Sequence, residues 1–264
     1  MENKRLSLQE IQQVTLGILL EFDKLCRQYH LRYSLAYGTL IGAVRHKGFI
    51  PWDDDIDVVM PRGDYEKLLK IRYQSERYEI KNYNISDDYY YAFAKMVDKD
   101  TTVIDEGRCE KHIELFVDIF PMDFFVADSP NELIPYGKAG VRRQFFARTI
   151  GIAPFCYRRL RYCVRSVIKL ALFPFRNKIF DNLNSLGSPE KESNYCSLVI
   201  HNDNFPEFFD ANIWNNLIDV EFESHYFPVF SEYDSFLTTI YGDYMTPPPK
   251  EQQVSVHGLE AYMK

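Results

Sequence analysis

The run Pro51-Trp52-Asp53-Asp54-Asp55-Ile56-Asp57 leads directly into Val58-Val59-Met60. On an extended backbone successive side chains alternate between faces. Asp53, Asp55 and Asp57 therefore share one side, with Ile56 and Val58 on the other. The pattern predicts a strand over 55–60 whose leading end carries up to three carboxylates. Carboxylates this close repel one another unless a cation or a Lys/Arg lies among them. Any fold of this chain must bury the apolar face of that strand and still bring countercharge to its acidic end. A solvated acidic loop or a helix cap is the plainer alternative, but the carboxylates run straight into an apolar strand, which puts them at a sheet end. A calcium loop of EF-hand type fails on spacing, because its glycine and glutamate positions fall on Val58 and Asp64.

The elements around this run follow from local pattern. Ser7 with Glu10 makes a capping box, and Leu8, Ile11, Ile18, Phe22, Leu25 and Tyr29 recur at helical spacing, predicting a helix over 7–29. Arg32–Tyr37 alternates as a strand, Gly38-Thr39 ends it, and a short helix is expected over 40–46. Pro61 opens a helix reaching Ile71. Strands are expected at 78–81, 92–97, 102–104 and 115–120. Beyond Pro121 the spacing becomes helical, with a further helix near 231–241. These elements predict an α+β chain: a mixed β-sheet core with flanking helices over residues 1–125, then a mostly helical part over 126–264 packed on it.

Composition narrows the function. The 264 residues are 46% apolar and 26% charged, with a net charge of −7, a globular balance that lacks the basic footprint of a nucleic-acid binder. No apolar run approaches the ~18 residues of a membrane span, and the polar N-terminus has no signal-peptide core. Five cysteines without a CxxC pair indicate neither a disulfide framework nor a zinc knuckle, so a reducing cytosol is the expected compartment. The charge is uneven. Residues 133–180 hold eleven Lys/Arg and no acid, while the remainder carries −18. The acidic body is one candidate partner for this basic segment. Its interleaved aromatics (Phe145, Phe146, Phe155, Tyr157, Tyr162, Phe173, Phe175) instead suit an anionic membrane surface, with Arg158, Arg159, Arg161 and Arg165 as the densest cluster.

Walker A, GxGxxG and GxSxG sequences are all missing, so P-loop, dinucleotide and serine-hydrolase chemistry lack support. A different pattern is present. Gly38-Thr39 at a strand-to-helix turn allows backbone N–H groups and a hydroxyl to approach a phosphate. Asp-h-Asp follows on the next strand, and Asp118 lies in the apolar run Phe116-Val117-Asp118-Ile119-Phe120. Such a carboxylate set suits one or two Mg²⁺ ions for phosphoryl transfer. Asp123 competes for the third position, but beyond Pro121 a loop is expected. Lys95, in the apolar stretch Phe93–Val97, should meet donor phosphates or an acid, because an unpaired buried ammonium is costly.

Taken together, the stretch Tyr37–Tyr65 (YGTLIGAVRHKGFIPWDDDIDVVMPRGDY) resembles the LicD family of the polymerase-β-like nucleotidyltransferase superfamily. FAKMVDKDT (93–101), FVDIFPMD (116–123), YGDYMTPPP (241–249) and His257 extend the resemblance along most of the chain, with no matching motif over 130–230. It implies transfer of phosphocholine from CDP-choline to a sugar of a bacterial surface glycan, teichoic acid or lipopolysaccharide, with release of CMP. Fukutin-related enzymes share the core and use CDP-ribitol, so another CDP-alcohol is the alternative donor; a nucleotidyltransferase releasing pyrophosphate is the alternative reaction. Carried over by position, Asp55, Asp57 and Asp118 are the expected ligands of Mg²⁺, or of Mn²⁺ in its place. Gly38, Thr39, Arg45, Lys95, Trp52, Asp53 and His257 are the expected substrate-binding residues, with Arg45 as a phosphate contact. Expected partners are the CDP-alcohol and a glycan acceptor, lipid-linked in one reading. The expected location is the cytoplasm, peripheral to the inner membrane face.

Overall fold

A computed structural model describes residues 4–86, 89, 91–105, 111–136, 138, 141, 160–184, 187–198, 208–255 and 258–264. The N-terminal part contains β1 (Lys4–Arg5), α1 (Leu8–Gln28), β2 (Ser34–Leu35), α2 (Tyr37–His46), β3 (Asp57–Pro61) and α3 (Arg62–Ile71). It continues with β4 (Tyr78–Lys81), β5 (Ala94–Asp105) and β6 (Lys111–Phe125). After residue 125 come α4 (Leu160–Leu172), α5 (Arg176–Asn184), β7 (Tyr195–Ser197), β8 (Phe208–Asp210), β9 (Leu217–Phe222) and β10 (His225–Phe230). The last elements are α6 (Tyr233–Tyr241) and β11 (Glu260–Met263).

The main sheet runs β1-β11-β5-β6-β3-β2, with β4 on β5 and β7 joining β6 to β8. Most pairings are antiparallel, but β3 and β6 are parallel, so the α+β expectation holds. After residue 125, α4 and α6 fall where helical spacing is expected and α5 is additional, while the helical spacing at Phe145 and Phe146 lies outside the described residues. Strands accompany them, and β11 returns to the main sheet between β1 and β5. No helix among the described residues is long and apolar enough to cross a membrane.

The first helix forms as its sequence dictates. Ser7 Oγ accepts from Glu10 N at 3.3 Å, and the Glu10 carboxylate accepts from Ser7 N at 2.9 Å. This reciprocal cap satisfies two donors that a helix start leaves open. Ile11, Ile18, Leu19, Phe22 and Leu25 form the buried stripe of α1. Across the sheet, Phe120, Met122, Trp214, Phe230 and Phe236 belong to the same core.

Three local expectations are corrected. The expected strand 32–37 pairs with β3 only at Ser34 and Leu35. Tyr37 then adopts φ 48° and starts α2 three residues ahead of Leu40. The runs 92–97 and 102–104 are one strand, β5, with an irregularity between Asp98 and Val103. Pro121 does not end β6, which continues to Phe125. Asp118 N donates to Ile56 O, so alternate residues of β6 from Asp118 onward turn their N–H toward β3. The position of Pro121 faces the other way, beyond the last β5 pair, Ala94 with Ile119. The missing N–H of proline therefore costs no ladder bond. Asp123, expected in a loop, is consequently a strand residue.

Candidate active site

The order β5-β6-β3 places Lys95, Asp118 and Asp57 in one cross-strand row, Lys95 opposite Asp118 and Asp118 opposite Asp57. The Lys95 ammonium forms a buried ion pair with Asp118. Burial pushes the Asp57 carboxyl well above the ordinary carboxylate range, and the negative charges of Asp55, Asp118 and Asp53 push it the same way against the pull of Lys95. Asp53, Asp55, Asp57 and Asp118 thus crowd their carboxylates at one end of the sheet, with the Lys95 ammonium among them.

The first turn of α2 is built against this row. Asp57 N donates to Thr39 Oγ1 at 2.9 Å, tying the helix start to the start of β3. The N-cap residue, Ala36, has an extended backbone and makes no side-chain cap hydrogen bond. A Cβ on Gly38 would come within 2.7 Å of Asp53 Oδ2. Glycine at position 38 is what lets the acidic turn close onto the helix N-terminus. Gln12 of α1 secures the same turn from behind, donating to Asp53 O at 2.8 Å.

Oxygens of Asp53, Asp54 and Asp55 all lie within 4.8 Å of one another. Alternation had separated Asp54 from its neighbours, but residues 53–56 precede β3 and are not strand. Asp54 is buried, and its Oδ2 accepts from Ser255 Oγ at 2.6 Å and Leu259 N at 3.0 Å. Its other oxygen, Oδ1, is buried with no hydrogen-bond partner among the described residues. Asp54 thereby clasps the C-terminal segment to the acidic turn, a role that sequence reasoning missed. The only advance signal was the acidic run itself, because Ser255 lies 201 residues away.

The remaining expected residues divide. Trp52 is half-buried against the main core. Arg45 sits in the last turn of α2, its guanidinium donating to Tyr244 O at 2.6 Å and to His46 Nε2 at 2.9 Å. At a rise of about 1.5 Å per residue, that is roughly 9 Å along the helix from Thr39. His257 lies outside the described residues, as do Arg158 and Arg159 and the side chains of Arg161 and Arg165. Asp123 is buried on β6 and receives both arms of Arg62, at 2.7 and 2.8 Å, so it belongs to a structural ion pair.

Comparison with known proteins fits this geometry. The family model described as "LicD/FKTN/FKRP, nucleotidyltransferase domain" matches residues 30–149. The chain is 37% identical over 271 aligned residues to the lipopolysaccharide cholinephosphotransferase LicD of Haemophilus influenzae, covering 98% of this chain and 99% of that protein. The chain belongs to the LicD family. It is also 31% identical over 140 residues to an uncharacterised protein of Rickettsia typhi, covering 52% of this chain and 40% of that protein. The family match begins before α2 and runs past β6, so it contains Gly38, Thr39, the acidic turn, Lys95 and Asp118. The LicD-family relative from Haemophilus also spans the C-terminal segment that Asp54 holds.

Proposed function

We propose that this LicD-family chain transfers phosphocholine from CDP-choline to a sugar hydroxyl of a bacterial surface glycan, lipopolysaccharide foremost, and releases CMP. The observation that carries this reading is the row Lys95–Asp118–Asp57 set against the start of α2, in a chain matched end to end by a cholinephosphotransferase.

The donor set fits a hard divalent cation. It consists of carboxylate oxygens, it is crowded enough to raise the Asp57 carboxyl, and the neighbouring Asp54 Oδ1 is buried without a partner among the described residues. Asp55, Asp57 and Asp118 would hold Mg²⁺, or Mn²⁺ in its place. When bound, the ion supplies positive charge to the donor phosphates. The chain's own groups do the rest. The first turn of α2 points backbone N–H groups out of the helix N-terminus, an orientation that favours an anion. Lys95 adds a second positive charge beside Asp118. In the transfer, the sugar oxygen forms a bond to the choline-bearing phosphorus, the bond from that phosphorus to the CMP oxygen breaks, and its electron pair leaves with CMP. Asp118 stands between Asp57 and Lys95 and receives the hydroxyl proton.

Incubation with CDP-choline, CDP-ribitol and CDP-glycerol in the presence of Mg²⁺ and acceptor glycan tests the reading. CMP release should be fastest with CDP-choline. Pyrophosphate release from CTP, without CMP release from any CDP-alcohol, would replace the transferase with a nucleotidyltransferase.

The acceptor's place at a membrane has its own support. Val164, Val167, Ile168 and Leu170 of α4, with Phe173 and Phe175 just beyond it, are exposed within the basic segment. Apolar side chains among Lys/Arg suit the interface of an anionic bilayer. The protein should sediment with anionic liposomes at low salt, less so at high salt, and not after Glu replaces Arg158 and Arg161. Failure to sediment at low salt would assign the basic segment to the acidic body instead.

A further inference from the structure

Among the described residues, three aromatic rings surround the Lys95 ammonium. Its Nζ lies 3.2 Å from the ring centre of Phe116, 4.3 Å from that of Tyr91 and 5.3 Å from that of Phe93. A buried lysine paired with an aspartate needs no such cage, because Asp118 already supplies its countercharge. The rings are also assembled independently of the lysine. Tyr91 packs on Phe93 at 5.4 Å, and Phe93 packs on Phe120 at 4.4 Å. Tyr89 donates its hydroxyl to Phe93 O at 2.7 Å, closing the loop that carries Tyr91. Phe116 is buried, and Tyr91 and Phe93 are half-buried.

The faces of aromatic rings attract cations, and a quaternary ammonium, which can donate no hydrogen bond, is recognised chiefly in this way. Phe116 lies two residues from Asp118 on β6, so both side chains are on the same face of the sheet. The cage therefore adjoins the row at which phosphorus would react. In choline phosphate only an O–C–C bridge separates phosphorus from nitrogen.

The geometry points to the Tyr91–Phe93–Phe116 cluster as the subsite for the trimethylammonium group of the transferred phosphocholine, with the Lys95 ammonium occupying it in the absence of donor. This rests on the phosphocholine-transferase reading and specifies how that site selects its head group. When the donor enters, the flexible four-carbon stem of Lys95 turns its ammonium from the rings to the donor phosphates, and the cage passes to the quaternary nitrogen. A donor with a neutral head group, such as a polyol, would gain nothing from the rings.

The test is calorimetric titration of the full chain with CDP-choline and with CDP, which lacks only the choline group, both with Mg²⁺. Tyr91→Leu and Phe93→Leu should each weaken CDP-choline about tenfold while CDP changes less than about twofold, because a desolvated cation–ring contact carries an effect of this size. Tyr91→Phe keeps the ring and should stay within about threefold of wild type for CDP-choline. Unaltered CDP affinity also shows that the variants fold. Equal weakening of both ligands, or unchanged CDP-choline affinity in both leucine variants, would overturn the subsite. A wild-type chain that binds no CDP-choline would overturn the transferase reading along with it. A wild type that binds and turns over CDP-choline, alongside leucine variants with undiminished choline selectivity, would overturn the subsite alone.

Discussion

Asp57→Asn is expected to abolish turnover and to yield a chain more stable than the wild type when metal is absent. The carboxyl of Asp57 is raised by burial and by Asp55, Asp118 and Asp53, so ionising it in the folded state is unfavourable. Asparagine keeps the shape and removes the charge. Losing a cation ligand at a phosphoryl-transfer centre removes several kcal/mol of charge stabilisation, which corresponds to roughly a thousandfold or more in kcat. The apo chain should gain stability, because the folded state no longer carries the charge that burial and the neighbouring carboxylates disfavour.

The pH dependence has a definite sign. With the folded pKa above the unfolded value, the folded state holds its proton to higher pH. The Asp57 contribution to stability is therefore greatest below about pH 4 and is lost as pH rises through the folded value. Thermal melts of the apo wild type should fall across that interval, and those of Asp57→Asn should fall less. Mg²⁺ should raise the wild-type melting temperature and leave the variant nearly unmoved. Asp55→Asn should lose turnover to a similar degree. Near-normal activity of either variant with Mg²⁺ would remove these residues from the centre.

Asp118→Asn and Asp123→Asn, five residues apart on one strand, should fail in opposite ways. Asp118 is the middle member of the row, opposite both Asp57 and Lys95, so its loss should cost about a thousandfold in kcat, on the scale of the other ligand variants. Asp123 has the opposite parity on β6 and holds the guanidinium of Arg62, which also lies 5.4 Å over the Tyr65 ring. Asparagine there leaves a nearly buried guanidinium without its carboxylate, a loss of about 3–5 kcal/mol. Asp123→Asn should therefore lower the urea midpoint sharply while the folded fraction keeps near-wild-type kcat. Measuring kcat per folded molecule alongside urea melts separates the two effects. If Asp123→Asn instead loses kcat at full stability and Asp118→Asn does not, the third carboxylate of the centre is Asp123.

That contrast marks the boundary between local and tertiary information. The capping box at Ser7 and Glu10, the buried stripe of α1 and the apolar face of β3 are legible because each depends on residues a few positions apart, where backbone geometry alone decides which side chains share a face. The acidic run was legible as a crowd of carboxylates at a strand end for the same reason. Alternation misled where the backbone is not extended: Asp54 falls in the turn before β3 and meets Ser255 and Leu259 rather than the opposite face of a strand. The passage of β6 through Pro121 depended on where its pairing with β5 ends, and the pairing of Asp123 depended on Arg62, 61 residues away. The ring cluster required Tyr91 and Phe93 to meet Phe116 of β6 around Lys95. Residue type and spacing thus determined which groups carry charge and which faces are apolar. Strand order and register decided which of those charges meet, because pairing across a sheet joins residues whose separation along the chain leaves no periodic trace.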